Sequence, residues 1–366
     1  MRGNAPGALA GWRGLGAFWI GILVVLGGGA GVLQYLGPPP TPPRATARVP
    51  PMPAAPPASN PASGTVPPVV TAKASPADAI PVDQRPGRDT PGPIADPDPA
   101  LLEPAADGSS GMLPRIADDG RMPMQVYAAG FDRTTRRPRI GLLVAGYGLN
   151  EADSARAATD LPHGVSFAVS PYAGNPDSLL AEARLGDHEY LLSIPMEPQS
   201  FPLNDPGQRA LMTTLTPEDN LKRLNWVLAR IGGYVGVTGA LGAMRGERFA
   251  GVTEQMNGVL AELGRRGLLY VDARPAGSGG APTQPHVWSR DVDLVVDEPV
   301  TDIDAKLAEL EHIARDKGSA LGLAGSPRPV AVQHVVLWAN GLMDRGLALA
   351  PVSALALPPA DTKGKP

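Results

Sequence analysis

The residues of this chain that could do chemistry fall at the ends of predicted strands. The stretch Gly186-Asp187-His188-Glu189-Tyr190-Leu191-Leu192-Ser193-Ile194-Pro195-Met196-Glu197-Pro198 runs from a glycine turn through an apolar segment to a proline-bounded loop. That is the pattern of a buried strand. In sheets of parallel strands the groups at the carboxyl ends face the functional cleft, so Ser193, Met196 and Glu197 are expected on its rim. Asp272, which ends the apolar run Leu268-Leu269-Tyr270-Val271, is expected there too, with Arg290 beside it and Asp291 next in the chain.

Two chemistries would use such residues, acyl transfer through a serine and hydrolysis assisted by a metal ion. Ser193 lies in no Gly-x-Ser-x-Gly turn, and no histidine is placed at a neighbouring strand end to take its proton. It reads as a small polar filler. The five histidines, His163, His188, His286, His312 and His334, contain no His-x-x-x-His or His-Glu-x-x-His pair. His188 starts its strand, about 16 Å from Ser193 at about 3.3 Å per residue, and has the opposite parity, so it is assigned to a local turn. Asp272, Asp291 and Arg290 remain as residual catalytic candidates. For Asp272 a helix cap or an ion pair to Arg274 or Arg290 is the competing role. No cysteine is present, which removes disulfides, thiolate catalysis and cysteine-bound zinc.

The elements that must position these groups begin at Arg139. Apolar strands alternate from there with amphipathic helices: Asn175-Pro176 opens one helix and Gly186 closes it. Thr216-Pro217-Glu218-Asp219 caps another, which carries Leu221, Leu224, Leu228 and Ile231 on one face. Further strands are expected at residues 234–238, 268–272, 292–297, 320–324 and 347–353. Such alternation makes a parallel sheet with right-handed crossovers, and seven or eight mostly parallel strands favour a closed or nearly closed β/α barrel over an open sheet. The fold class is therefore α/β, a deformed (β/α) barrel. Neither a Gly-x-Gly-x-x-Gly nor a phosphate-binding loop follows a strand, so no nucleotide cofactor is expected.

Ahead of the barrel the chain changes character. Of its 366 residues 43 are proline, and most of these precede Arg139. Residues 1–37 contain an apolar run, 15–36, that is long enough to span a bilayer and follows Arg2 and Arg13. It is expected to anchor the chain in the inner membrane with the rest exported to the periplasm; a cleaved leader releasing a soluble periplasmic protein is the competing reading. Residues 38–112 are rich in proline and alanine without apolar periodicity, the composition of a disordered tether, and deleting Thr41–Gly111 is expected to leave the unfolding of the barrel unchanged. The folded domain is expected over 113–357, with a disordered tail over 358–366. A net charge of −4 without a basic stripe argues against nucleic acid as a partner.

Taken together, several segments resemble the divergent polysaccharide deacetylase family, relatives of the NodB-type carbohydrate esterases with a deformed β/α barrel. They are Pro138 to Val144, Leu161-Pro162 with Val165 to Tyr172, Gly186 to Pro198, Asp205-Pro206-Gly207, Gly236-Val237 with Gly242, Leu268 to Asp272, and Arg290-Asp291-Val292. The resemblance covers about residues 138–355. It implies a divalent metal such as zinc, two aspartates at the end of the first strand and two histidines further on. Those positions read here Ala145-Gly146, Ser193 and Ala240, so no metal and no other cofactor is expected. Three readings stay open: a barrel without catalysis that binds an envelope glycan or protein, a hydrolase with an altered catalytic set using Asp272 or Asp291, and a structural envelope protein.

Overall fold

In the computed structural model the described residues are Trp19 and residues 86–105, 111–275 and 287–359. Apart from Trp19 the expected membrane segment lies outside them, as do most of the tether and the end of the tail, and no helix among the described residues is long and apolar enough to cross a membrane. Contacts divide the chain into Met1–Ser75 and a second unit, Pro76–Pro366, which holds the barrel.

Its strands are β1 (Leu102–Pro104), β2 (Met112–Pro114), β3 (Arg139–Tyr147), β4 (Val165–Val169), β5 (Tyr190–Ser193), β6 (Gly236–Thr238), β7 (Leu269–Pro275), β8 (Ser289–Val292), β9 (Leu294–Val295), β10 (Ser319–Ala324) and β11 (Ala348–Leu349). The main sheet runs β8-β7-β6-β5-β4-β3-β10-β9, every neighbouring pair parallel, and β11 adds to the start of β3. Since β9 continues β8 in sequence, both ends of that order lie on one segment. The sheet therefore curls into a nearly closed barrel.

Asp293 sits between the two strand pieces and fastens the seam. Its N–H donates to the Leu321 carbonyl at 2.8 Å, while its carboxylate accepts from the Leu321 N–H at 3.0 Å, from Arg290 at 2.6 Å and from Lys317 at 3.0 Å.

The helices named below are α1 (Glu151–Asp160), α2 (Pro176–Leu185), α3 (Pro217–Leu228), α4 (Glu247–Ala250), α5 (Thr253–Arg265), α6 (Ile303–Lys317), α7 (Pro329–Asn340) and α8 (Val352–Leu355). Their starts follow local chemistry: Asn150 accepts from the Asp153 N–H at 3.0 Å, and Thr216 Oγ1 accepts from the Asp219 N–H at 3.2 Å, as the capping pattern predicts. Of the face expected on α3, Leu224, Leu228 and Ile231 are buried and Leu221 is exposed.

Strand parity sorts the core in two. Leu142, Val144, Phe167, Tyr190 and Leu192 pack outward under the helices, while Leu143, Ala145, Ala168, Leu191, Val271, Leu321 and Leu323 fill the barrel. Both faces are covered, which is why β3 is a continuous apolar run.

At the amino-terminal end of the barrel the buried Glu189 carboxylate accepts from Ser166 Oγ (3.0 Å), the Ala129 N–H (3.0 Å), and the Ser353 N–H and Oγ (2.8 and 2.6 Å). Burial pushes this carboxyl up, and the donors pull against it. It ties α8 and the 127–131 segment across the barrel floor. His188, facing the other way, places Nδ1 2.9 Å from the Val165 carbonyl oxygen and leans on Phe167, a packing role.

Two expectations change. The packed domain takes in residues 86–105: Ile94 and Leu101 are buried, β1 pairs antiparallel with β2, and Arg88 and the Gly92 N–H both reach Asp187. Proline-rich sequence hides this because a 3-10 turn started by Pro99 and a three-residue strand need no periodicity. The strand expected at 347–353 shrinks to β11, since Pro351 cannot donate to a ladder and opens α8 instead.

Candidate functional site

At the carboxyl-terminal mouth the strand-end positions are sealed. Ala145, Ser193 and Ala240 have 0% exposure, and Gly146 is buried too, against Gly325 and Ser326. The roof is a tight turn in which the Leu241 and Met244 backbones bond each other at 2.8 and 3.1 Å. It reaches across the mouth until a Cβ built on Gly325, just past β10, would stand 3.5 Å from the Gly242 carbonyl oxygen. Arg245 then pairs with Glu298 at 2.6 Å. Beneath this roof the Ser193 hydroxyl is buried without a hydrogen-bond partner.

Met196 and Glu197 hold the roof from below. Met196 is 2% exposed, and its side chain fills the space left by Gly239 and Gly246 at the two feet of the turn; Gly246 also needs φ +65°. The Glu197 carboxylate accepts from the Thr213 N–H (2.7 Å), Thr213 Oγ1 (2.6 Å) and Arg248 on α4 (2.9 Å). Burial pushes its pKa up, and these donors outweigh burial and hold it below the usual carboxylate range. Both residues shape the mouth from inside it.

The other candidates lie elsewhere. Asp272 faces outward with Tyr270, opposite to the inward Val271, and its carboxylate is taken by Arg274 through the backbone N–H (3.0 Å), Nε (2.9 Å) and Nη2 (2.5 Å). This is the ion pair named as its competing role. Asp291 stands opposite Asp272 in the β7–β8 register, its carboxyl pushed up by burial and then by the Asp272 charge. Arg290 turns toward the start of β10, bonding Asp293 and, at 3.5 Å, the Ser319 carbonyl. Asp272 and Asp291 are thus neighbours on the outer face, and neither they nor Arg290 meet Ser193.

What does open at the mouth is a cleft of about 570 Å³ over the ends of β3 to β6. Leu149, Tyr172 and Leu203 present apolar surface to it, Ser200, Asn204 and Asp205 polar groups. Tyr172 is fixed by its hydroxyl, which donates to the Pro206 carbonyl at 3.1 Å. Sequence reasoning passed over Tyr172 and Asn204. The available signal was that Pro171-Tyr172 directly follows a strand and Asp205-Pro206-Gly207 forms a turn in the loop after β5.

The strand ends do not fit a catalytic divalent metal, whose sites are built from three histidine or carboxylate ligands with a position left open. Ala145, Gly146 and Ala240 offer no side-chain donor and Ser193 a single hydroxyl. Among the described residues no group of three or more His, Cys, Asp or Glu is placed to hold an ion.

A parallel, nearly closed sheet wrapped by helices, with a cleft over the carboxyl ends of its first strands, defines the class as a β/α barrel. The family model for divergent polysaccharide deacetylases matches residues 142–356, and the chain belongs to that family. Among solved structures it is similar to the uncharacterized protein ATU2773 from Agrobacterium tumefaciens C58, at 31% identity and a TM-score of 0.62, over 67% of this chain and 99% of that one. More distant are a putative polysaccharide deacetylase from Mycobacterium smegmatis (13% identity, TM-score 0.43, 64% and 96% covered) and a T48 deacetylase with substrate (15%, 0.35, 61% and 94%). No curated protein sequence matches.

Proposed function

We propose that this chain is a barrel without deacetylase activity that holds a glycan strand of the cell envelope in the cleft over β3 to β6. The observation that carries this reading is that Ala145, Gly146, Ser193 and Ala240, at the strand ends, are all buried and carry no imidazole or carboxylate. A metal-activated water needs ligands and an open position, and this pocket offers neither. The cleft favours a saccharide over an envelope protein as partner: a sugar ring has apolar faces that stack on an aromatic ring and hydroxyl edges that suit amide and carboxylate groups. Export and anchoring by residues 15–36 belong to the same proposal, supported by the length of that apolar run. A hydrolase built on Asp272 is disfavoured because Arg274 occupies its carboxylate on the far face of the sheet.

The test measures acetate release from acetylated chito-oligosaccharides by the full-length protein, its zinc content by elemental analysis, and oligosaccharide binding by calorimetry. Binding without acetate release is expected. Stoichiometric zinc together with acetate release would overturn the proposal.

A further inference from the structure

Beside the cleft lies a cluster that glycan binding as such does not require. Trp226 on α3 is flanked by the guanidinium groups of Arg209 and Arg230, each 5.2 Å from its ring centroid. The same ring centroid lies 6.2 Å from that of the cleft-lining Tyr172. Arg223, one helical turn before Trp226, bonds the Ala210 carbonyl, and Arg230 Nε donates to the Pro171 carbonyl at 3.1 Å. Among the described residues none of these three arginines forms an ion pair.

Elsewhere on the barrel arginines are neutralised: Arg245 by Glu298, Arg248 by Glu197, Arg328 by Asp297, Arg315 and Arg345 by Glu311. Around Trp226 the nearby carboxylates do not do this. Asp219 is paired with Lys222 at 3.0 Å; Asp205 lies by Tyr172 together with Arg209 and Arg223, and with Glu247 it lines the cleft itself, so the unpaired positive charge is confined to the Trp226 side. The result is a local positive surplus on a chain of net charge −4.

The ring holds each guanidinium by a cation–π contact, and Arg209 and Arg230 are both exposed. A guanidinium held beside the ring keeps N–H groups that can bind a carboxylate or phosphate. We infer that the ligand of the cleft is an anionic saccharide, with a sugar ring on Tyr172 and its carboxylate or phosphate groups on Arg209 and Arg230. This rests on the glycan-binding proposal and narrows its ligand.

The experiment titrates the full-length protein with hexagalacturonate, with a phosphomannan oligosaccharide and with neutral N-acetylchitohexaose, at low and high salt. One acidic probe is expected to bind at least about tenfold tighter than the neutral one, with affinity falling as salt rises, and the better of the two identifies the anion. Arg209→Ala, and separately Arg209→Glu, should each cost that probe about tenfold or more, well beyond the cost to the neutral probe. Tyr172→Ala should weaken all sugars. Equal binding of acidic and neutral probes, unmoved by the arginine variants, would overturn this inference and leave the glycan-binding proposal standing. Acidic binding that survives Tyr172→Ala would be a charge effect alone and would also overturn it. If no probe binds, both readings fall.

Discussion

Ser193 stands where the family resemblance places a metal-binding histidine, and its hydroxyl has no partner beneath a closed roof. A buried unpaired hydroxyl costs about 1–3 kcal/mol. Ser193→Ala is therefore expected to leave the protein as stable as before or up to about 1 kcal/mol more stable, read from the denaturant midpoint. Glu197 should behave in the opposite way. Its folded pKa is depressed, so the stability it contributes is present above the ordinary glutamate range and is lost as pH falls through the folded value. Glu197→Gln should cost about 1–2 kcal/mol near neutral pH, and the gap to wild type should close as pH drops below about 4. A gap that stays constant with pH would show that the carboxylate charge is not what fastens Thr213 and Arg248. Rebuilding a metal site here faces steric limits. Gly146 has φ +68°, and a Cβ there would meet the Gly325 carbonyl oxygen at 3.2 Å, so Gly146→Asp strains the backbone before any ligand forms.

The segment 86–105 shows how an element can matter without a readable pattern. Leu101 is fully buried and bonds through its carbonyl to the Arg115 N–H at 2.9 Å, while Arg266, on the barrel, reaches Glu103 at 3.0 Å. Leu101→Ala should cost about 2–4 kcal/mol, measured by urea unfolding, and deleting residues 86–105 should lower the melting temperature rather than leave it unchanged. Helices α2 and α3 were legible because Pro176 and Thr216-Pro217 mark their starts by local chemistry, whereas α1, capped by Asn150, was passed over. The strand ends were legible because parity and the proline after Ile194 fix which side chains face the mouth. The roof was not. Its closure depends on Gly242 meeting Gly325, residues more than eighty positions apart whose own neighbourhoods say nothing of each other. Asp272 looked like a rim residue because it ends an apolar run, and only its parity relative to Val271 places it outside.

At the scale of the molecule the α/β barrel was readable from the alternation of strands and helices, and the seam was not. One short segment serves as β8 toward β7 and as β9 toward β10, and no periodicity reveals which neighbour a strand of two residues will take. The order of the sheet bears on how the chain is made. Strands β3 to β8 can each be laid beside the one before as the polypeptide emerges, but β10 is the last of the staves and must slot between the first, β3, and β9. Until it arrives, the flank of β3 from Arg139 to Val144, apolar after the arginine, is a bare edge open to pairing with another molecule. Completion is thus a late, long-range event, slow by the rule that distant pairings fold slowly. A chain ending at Lys317 should aggregate, judged by light scattering, while supplying the missing strand as a peptide spanning β10 should suppress it. If the truncated chain stays monomeric and folded, β3 has another cover. During synthesis the nascent protein would depend on a holding chaperone for that interval, a dependence set by strand order alone.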